Sequence, residues 1–393
     1  MNITFVSNFV DTEKFFDLFK KSKIPGQQVQ KFNGLIINGL SKQDNCTIRC
    51  VSALPITRIN TDKLFVKSEK IKKKQVYYNY LSAINIPLLK NINDVIGGFL
   101  NIIKLKDRNK NVIVCDVLQL SVVIGALFAC KLRGLKAVGI VTDLPEFLAN
   151  PTGWRLWLYN SVINAFDAYQ FMTEDMNHKV NNKQKPYIVI EGLVDTEMSK
   201  ESNSIQSKSN KLICMYAGAL KDSYGLDILV EGFLDAGVEN SELHIYGDGD
   251  YGKQLEAIAK EHKNVKYFGT KPNKEVVKAQ LKATLLVNPR YTNEEYTKYS
   301  FPSKNMEYMA SGTATLTTKL KGMPKQYYDY IYTIDKETPL GISDSIKTIL
   351  SRDIREIHHK GMSAQDFVLK YKNSNAQAAK LIKLIESTLD YEC

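Results

Sequence analysis

The sequence predicts an α/β protein of two doubly wound domains, each a parallel sheet covered by helices, and three observations predict it. Short apolar runs end repeatedly in small or polar residues and give way to segments of helical period, the rhythm of parallel strands joined by helices. That rhythm breaks at a stretch rich in Ser, Asn and Lys over residues 199–210 and restarts at 212. The chain has 393 residues, more than one ordinary core accommodates. The expected division is 1–196 for a first domain, 197–372 for a second, and 373–393 for a terminal helix that packs back on the first domain or lies on a membrane.

In the first half, residues 3–6 read as a buried strand. Pro25-Gly26 is a turn that opens a helix, since Val29, Phe32, Leu35, Ile36 and Leu40 recur at helical spacing. Residues 63–74 are cationic and are followed by Tyr77, Tyr78 and Tyr80, a combination suited to an anionic bilayer surface or a lipid diphosphate, or simply to a solvated loop or strand. Aromatics among lysines also stack nucleobases, but no nucleic-acid module signature is present, and no nucleic-acid partner is expected. Residues 111–116 form a second strand, 120–132 a buried helix leading to Gly134, and 137–142 a third strand. That strand ends at Asp143-Leu144-Pro145, placing an acid at a carboxyl edge where such folds collect ligands; a turn or helix cap is the other role for Asp143. Residues 172–174 and 187–191 read as the closing strands.

In the second half, strands are expected at 212–216, 243–246, 265–268, 285–288 and 314–317, with helices at 226–233 and 251–261. Small loops come after the strands, Ala217-Gly218-Ala219-Leu220-Lys221 and Gly247-Asp248-Gly249-Asp250 among them. Asp248-Gly249-Asp250, in a glycine turn after a strand, is formally a metal-binding D-x-D. The segment 299–312 is a helix with both ends marked, Pro302 where it starts and Gly312 where it stops. Ser303, Lys304 and Glu307 share one face, so free N–H groups, a cation and a carboxylate meet in one place, two of them suited to a diphosphate and one to ribose hydroxyls; a surface helix with a Lys–Glu pair is the alternative. Beyond 342 the chain is helical, with apolar residues at helical spacing over 376–389.

The run Phe301-Pro302-Ser303-Lys304, continued by Glu307-Tyr308-Met309-Ala310-Ser311-Gly312, resembles the nucleotide-binding segment of retaining glycosyltransferases of the GT-B fold, family 4, especially the bacterial exopolysaccharide and capsule branch. The resemblance covers most of the second half. It implies two Rossmann-like domains facing across a cleft and transfer of a hexose from a nucleoside-diphosphate sugar without a metal or other cofactor. Carried residue by residue, it assigns Lys221, Lys304, Ser303 and Asn305 to the diphosphate, Glu307 to the ribose and Gly247, Asp248 and Gly249 to the base side. It adds Gly218, Ser300, Gly26 and Gln27 to the donor contacts and makes Asp143, Lys221 and Lys304 the catalytic candidates. Three places depart from the family: Tyr299 stands where a first glutamate is usual, Thr142-Asp143 where many members keep a histidine or a His-Asp pair, and Tyr224 where a lysine is common, so Lys221 must do more alone.

The resemblance, taken with a net charge of +11 and no basic region preceding an apolar core near Met1, implies a cytoplasmic protein, peripheral on the inner face of the membrane, with a lipid-linked or free saccharide acceptor. The six cysteines are scattered and form no C-x-x-C pair, as in a reducing compartment. A catalytically inert sugar-nucleotide or partner-binding subunit, a nicotinamide dehydrogenase and an epimerase of sugar nucleotides are the alternatives left open.

Overall fold

The computed structural model describes residues 1–20, 27–148, 153–196 and 202–390. The chain divides into two compact units, residues 1–193 with 374–393, and residues 194–373. The expected boundaries after 196 and 372 lie beside these.

The first unit contains β1 (Asn2–Ser7), α1 (Thr12–Phe19), α2 (Gln28–Ser41), β2 (Thr47–Ser52), β3 (Phe65–Val66), β4 (Glu69–Lys73), β5 (Val76–Tyr80), β6 (Ala83–Ile84), α3 (Pro87–Ile103), β7 (Asn111–Asp116), α4 (Leu120–Arg133), β8 (Lys136–Val141), α5 (Gly153–Ile163), β9 (Ala168–Phe171), α6 (Glu174–Val180) and β10 (Tyr187–Val189). Eight strands form one sheet in the order β10-β9-β8-β7-β1-β2-β5-β4. All its pairings are parallel except β4 with β5. The central strands β7 and β8 are near-continuous buried runs because helices cover both faces of a parallel sheet, whereas β2, β4 and β5 toward one edge are partly exposed. Ile3, Phe5, Val112, Val114, Val138 and Ile140 point to the face carrying α2.

Several expectations change at this level. Of the two alternatives left for the basic run, loop or strand, the strand holds: Lys70, Lys72 and Lys73 lie in the antiparallel edge strand β4, where lysines discourage further pairing. The strand expected at 172–174 is Ala168–Phe171, and Thr173 instead caps α6 by accepting the Met176 N–H. The helix expected to be buried at 120–132 buries only one side; Phe128 and Leu132 are exposed on the other.

The second unit contains β11 (Leu212–Ala217), α7 (Leu226–Ala236), β12 (Ser241–Tyr246), α8 (Gly252–Glu261), β13 (Val265–Tyr267), α9 (Asn273–Lys282), β14 (Leu285–Asn288), α10 (Ser303–Ala310), β15 (Ala314–Thr318), β16 (Tyr332–Ile334), α11 (Pro339–Leu350) and α12 (Ile354–Tyr371). Its sheet is wholly parallel in the order β13-β12-β11-β14-β15-β16. The chain winds one way from β11 and then returns to the other side at β14, so a crevice opens at the carboxyl ends of β11 and β14.

The stretch 199–210 is more than a linker. Residues 197–201 lie outside the described residues, but from Asn203 onward the chain is strapped to the second unit. Asn203 donates to the Ser311 carbonyl at 2.8 Å, and the Lys208 ammonium donates to the Leu281 and Ala283 carbonyls, both at 2.9 Å. Burial pushes the Lys208 pKa down to about 8. The last helix, α13 (Ser374–Asp390), returns to the first unit, where Gly39 of α2 lies against the Ser374 carbonyl and Ala378. Ala378, Leu381 and Ile385 are fully buried, which spends its apolar side inside the protein. Among the described residues no helix is long and apolar enough to cross a membrane.

Candidate nucleotide site in the second unit

The site is built from backbone first. β11 ends at Ala217, whose N–H and C=O are both held by the Tyr308 hydroxyl, at 2.9 and 3.2 Å. That clamp fixes the helix α10 against the strand end. The next residue, Gly218, has φ +149° and receives the side chain of Lys304: a Cβ there would run into its Cε and Nζ. Gly247, after β12, lies so close to the Gly218 carbonyl that a Cβ would collide with it. The two loops are further joined by the Leu220 N–H donating to the Asp248 carbonyl at 3.0 Å. The spaces left by missing side chains are therefore used, one by a lysine and one by a neighbouring loop.

Over this floor sit three cations and a ring. The Lys304 ammonium donates to the Tyr216 hydroxyl and lies 4.0 Å from the centre of that ring and 5.2 Å from the centre of Tyr224. The Arg290 guanidinium lies 4.9 Å from the centre of Tyr224, and its Nε donates to Tyr296 at 3.2 Å. Lys221 approaches the same Tyr224 ring at 5.7 Å. Tyr224 thus gathers all three through the negative face of its π system. The Arg290 loop is held from both sides, by Thr318 donating to its carbonyl at 2.6 Å and by Tyr291 donating to Asp227 in the first turn of α7 at 2.9 Å.

This crowding sets the electrostatics. Burial of the ammonium among rings, together with the charge of Arg290, lowers the Lys304 pKa to about 7, while Glu307 one turn along α10 opposes the shift. A cluster of like charges that pushes one member toward neutrality is short of an anion, and a diphosphate is an anion of the right size.

Of the sequence-predicted residues, Gly218 and Lys221 after β11 and Gly247, Asp248 and Gly249 after β12 come together, and Lys304 reaches Gly218 from α10, which follows β14. Asp248 turns its carboxylate onto the Gly249 N–H at 2.9 Å, closing its own loop. Ser303 is exposed at the first position of α10, Glu307 is half-buried, and Tyr299 lies just ahead of the helix. The Ser300 hydroxyl is buried without a hydrogen-bond partner, a group left unspent at the head of α10. Asn305 requires correction as a donor contact. Its side chain is buried and joins Asn288 of β14 at 2.8 Å, and its N–H is taken by the Pro302 carbonyl at 3.0 Å. It ties α10 to the sheet. Among the described residues no group of three His, Cys, Asp or Glu is placed to hold a metal.

Asp143 and Gln27 belong to the first unit; Gly26 lies outside the described residues. Gln27 is exposed where α2 begins. Asp143 comes after β8, and crowding by the surrounding protein raises its pKa although the residue reaches the surface. Asp116, at the end of β7, has no signal in the sequence beyond its place after an apolar run. It is fully enclosed, accepts from Asn33 at 3.0 Å, and has its pKa raised by burial. In the cation cluster, sequence reasoning misses Arg290 and Tyr216 and registers Tyr224 only as a lost lysine.

Residues 197–362 match the family model of glycosyl transferases, group 1. The strands, glycine loops and cation cluster of the second unit all fall inside that match. Comparison with curated proteins by sequence found none that matches. Among solved structures, sucrose-phosphate synthase from Thermosynechococcus elongatus is similar at 14% identity and a TM-score of 0.66, with 98% of each chain covered. Anabaena HepE in complex with UDP is similar at 13% identity and a TM-score of 0.61, covering 98% of this chain and 100% of that one. An E. coli structure described as trehalose-6-phosphate bound with UDP-2-fluoro glucose gives 13% identity and a TM-score of 0.67, covering 100% and 99%. These likenesses show the GT-B fold, and with the family match they support a glycosyltransferase.

Proposed function

We propose that this protein is a retaining hexosyltransferase that moves a sugar from a nucleoside diphosphate to a lipid-linked saccharide acceptor during cell-surface polysaccharide synthesis, working on the cytoplasmic face of a membrane. The observation that carries the reading is the convergence of Lys304, Arg290 and Lys221 on one ring above the Gly218 backbone, inside the group 1 segment. UDP and a UDP-sugar are bound by two of the similar proteins, which makes UDP-sugars the first donors to test.

In this reading the bond from the anomeric carbon to the diphosphate breaks, and the acceptor oxygen bonds on the same face of the sugar. The acceptor proton passes to the departing phosphate oxygen. Charge grows on that oxygen as the sugar becomes oxocarbenium-like, and groups already fixed there stabilise it most. Lys304, Arg290, Lys221 and the first N–H groups of α10 supply that stabilisation without a metal. Glu307 takes the ribose hydroxyls, the Gly247–Gly249 loop borders the base, and Tyr299 and Ser300 meet the donor sugar. Asp143 is the further catalytic candidate.

A thermal-shift screen against UDP-, GDP- and dTDP-sugars tests the first step. Turnover of the best binder, lost in Lys304→Ala and Glu307→Ala, tests the second. No melting shift with any nucleotide sugar overturns the proposal. Binding with no hydrolysis or transfer, with Tyr299 in place of the usual glutamate, favours an inert binding subunit instead.

A further inference from the structure

The outer layer of the first unit is unusual for a solvated surface. On α3, Leu88, Ile92, Ile96 and Leu100 stand four residues apart and all are exposed, Leu88 at 70%. On α4, Phe128 and Leu132 are exposed at 58% and 59%, and Phe128 meets Phe99 of α3 with ring centres 5.6 Å apart. On α5, Trp154 and Trp157 are exposed at 67% and 70%. An apolar surface of this extent marks a docking face.

Its charge says what docks there. Helices α3, α4 and α5 contain one acidic residue between them, Asp94, and it is buried and paired with Lys90 at 3.1 Å. Lys90, Lys131, Arg133 and Arg155 supply the opposite sign. Beside α3 the sheet face continues into the edge strands, where the register aligns Arg49 with Tyr77 and Tyr77 with Lys72, and Lys70 with Asn79. These side chains and Lys104 line a cavity of about 530 Å³ that contains no acid, and Leu100, the end of the exposed row, lines it too. An apolar row leading into a cationic cavity matches a molecule with an apolar body and a phosphate head, and tryptophans favour the boundary between the two.

We propose that α3, α4 and α5, with the Arg49–Lys70–Lys72–Lys104 cavity, dock the protein on an anionic phospholipid bilayer, the lipid phosphate entering the cavity. This deepens the membrane part of the proposed function and does not depend on sugar transfer. Lys70 and Lys72 come from the basic run seen in the sequence, whereas α13 takes no part, because its apolar side is buried.

The chain's two tryptophans both lie on this face, so their fluorescence reports on it directly. The full-length protein is mixed with vesicles of phosphatidylcholine alone, or of phosphatidylcholine and phosphatidylglycerol in equal parts. Emission is expected to move to shorter wavelength, and the protein to float, only with the anionic vesicles at low salt. Lys70→Glu with Lys72→Glu, and Ile92→Glu with Ile96→Glu, each lower the bound fraction by about tenfold while melting and the nucleotide-sugar thermal shift are kept. Unchanged emission and no flotation overturn the proposal. So does a concentration-dependent dimer, broken by the Ile92→Glu, Ile96→Glu pair, in a protein that ignores vesicles. Flotation in a protein that binds no nucleotide sugar leaves this inference standing and removes only the transferase reading.

Discussion

Binding of a nucleotide sugar is predicted to draw a proton onto Lys304. In the free protein its pKa is about 7, because burial and Arg290 both disfavour the ammonium. A depression from 10.5 to that value corresponds to roughly 5 kcal/mol held against the charged form. A diphosphate placed beside the nitrogen reverses the balance by supplying the opposite charge, and the pKa climbs back toward its ordinary range. The free amine is then about half protonated at pH 7 and about a tenth at pH 8, and the bound one is protonated throughout. Uptake is therefore about half a proton per ligand at pH 7 and about nine-tenths at pH 8, and affinity falls by close to tenfold per pH unit above 8. A sugar diphosphodiester has no phosphate group titrating in this window, so the protein is the source of the signal. Calorimetry in PIPES, HEPES and Tris, whose ionisation enthalpies differ, measures the uptake with the best-binding nucleotide sugar. Lys304→Arg, always charged, is expected to bind with none. Uptake near zero in the parent protein between pH 6.5 and 8.5, or equal uptake in the Arg variant, refutes the reasoning.

Three further outcomes rest on the same geometry. Arg290→Ala removes a donor and a repulsive neighbour at once, so donor affinity falls by about 1.5–3 kcal/mol in direct titration while the midpoint for proton uptake moves to higher pH. Gly218→Ala puts a methyl where the Lys304 side chain lies, and donor binding is expected to fall at least tenfold by titration, with far-UV dichroism unchanged because the strand before it is unaltered. Asn305→Leu strands the Asn288 amide in the core; it is expected to cost about 1–3 kcal/mol in urea unfolding, with no loss of donor affinity in the folded fraction beyond that.

Much of the architecture is legible from the chain because a parallel strand covered on both faces has a plain signature. Residues 111–116 and 212–216 are apolar runs closed by a polar or small stop, and both are strands. The cradle is legible for a related reason. Gly218, Lys221 and Gly247 come after the carboxyl ends of neighbouring strands, and Lys304 reaches them from the helix that Pro302 starts. What pattern cannot supply is direction within a turn of helix. Asn305 and Lys304 are adjacent and both polar, yet one points at Asn288 in the core and the other at Gly218. Tyr224, which in the sequence reads as the loss of a lysine, proves to be the ring around which the remaining cations assemble. That role needs coordinates because Lys221, Arg290 and Lys304 are far apart in sequence.

The segment before β11 shows the same difficulty. Composition marks 199–210 as solvated, but a lysine ammonium has three donors, and Lys208 meets carbonyls that the end of α9 leaves unpaired. Periodicity also confuses two kinds of apolar face. Residues 120–132 look buried because leucines and phenylalanine surround the helix, and a helix facing lipid or a partner has that same composition as one facing a core. Charge separates them where hydropathy does not. A surface helix in water ordinarily carries acids as well as bases, and α3, α4 and α5 carry bases with a single hidden acid. Counting carboxylates along those segments, rather than apolar residues, is the reading of the sequence that would have located the outer face before any coordinates existed.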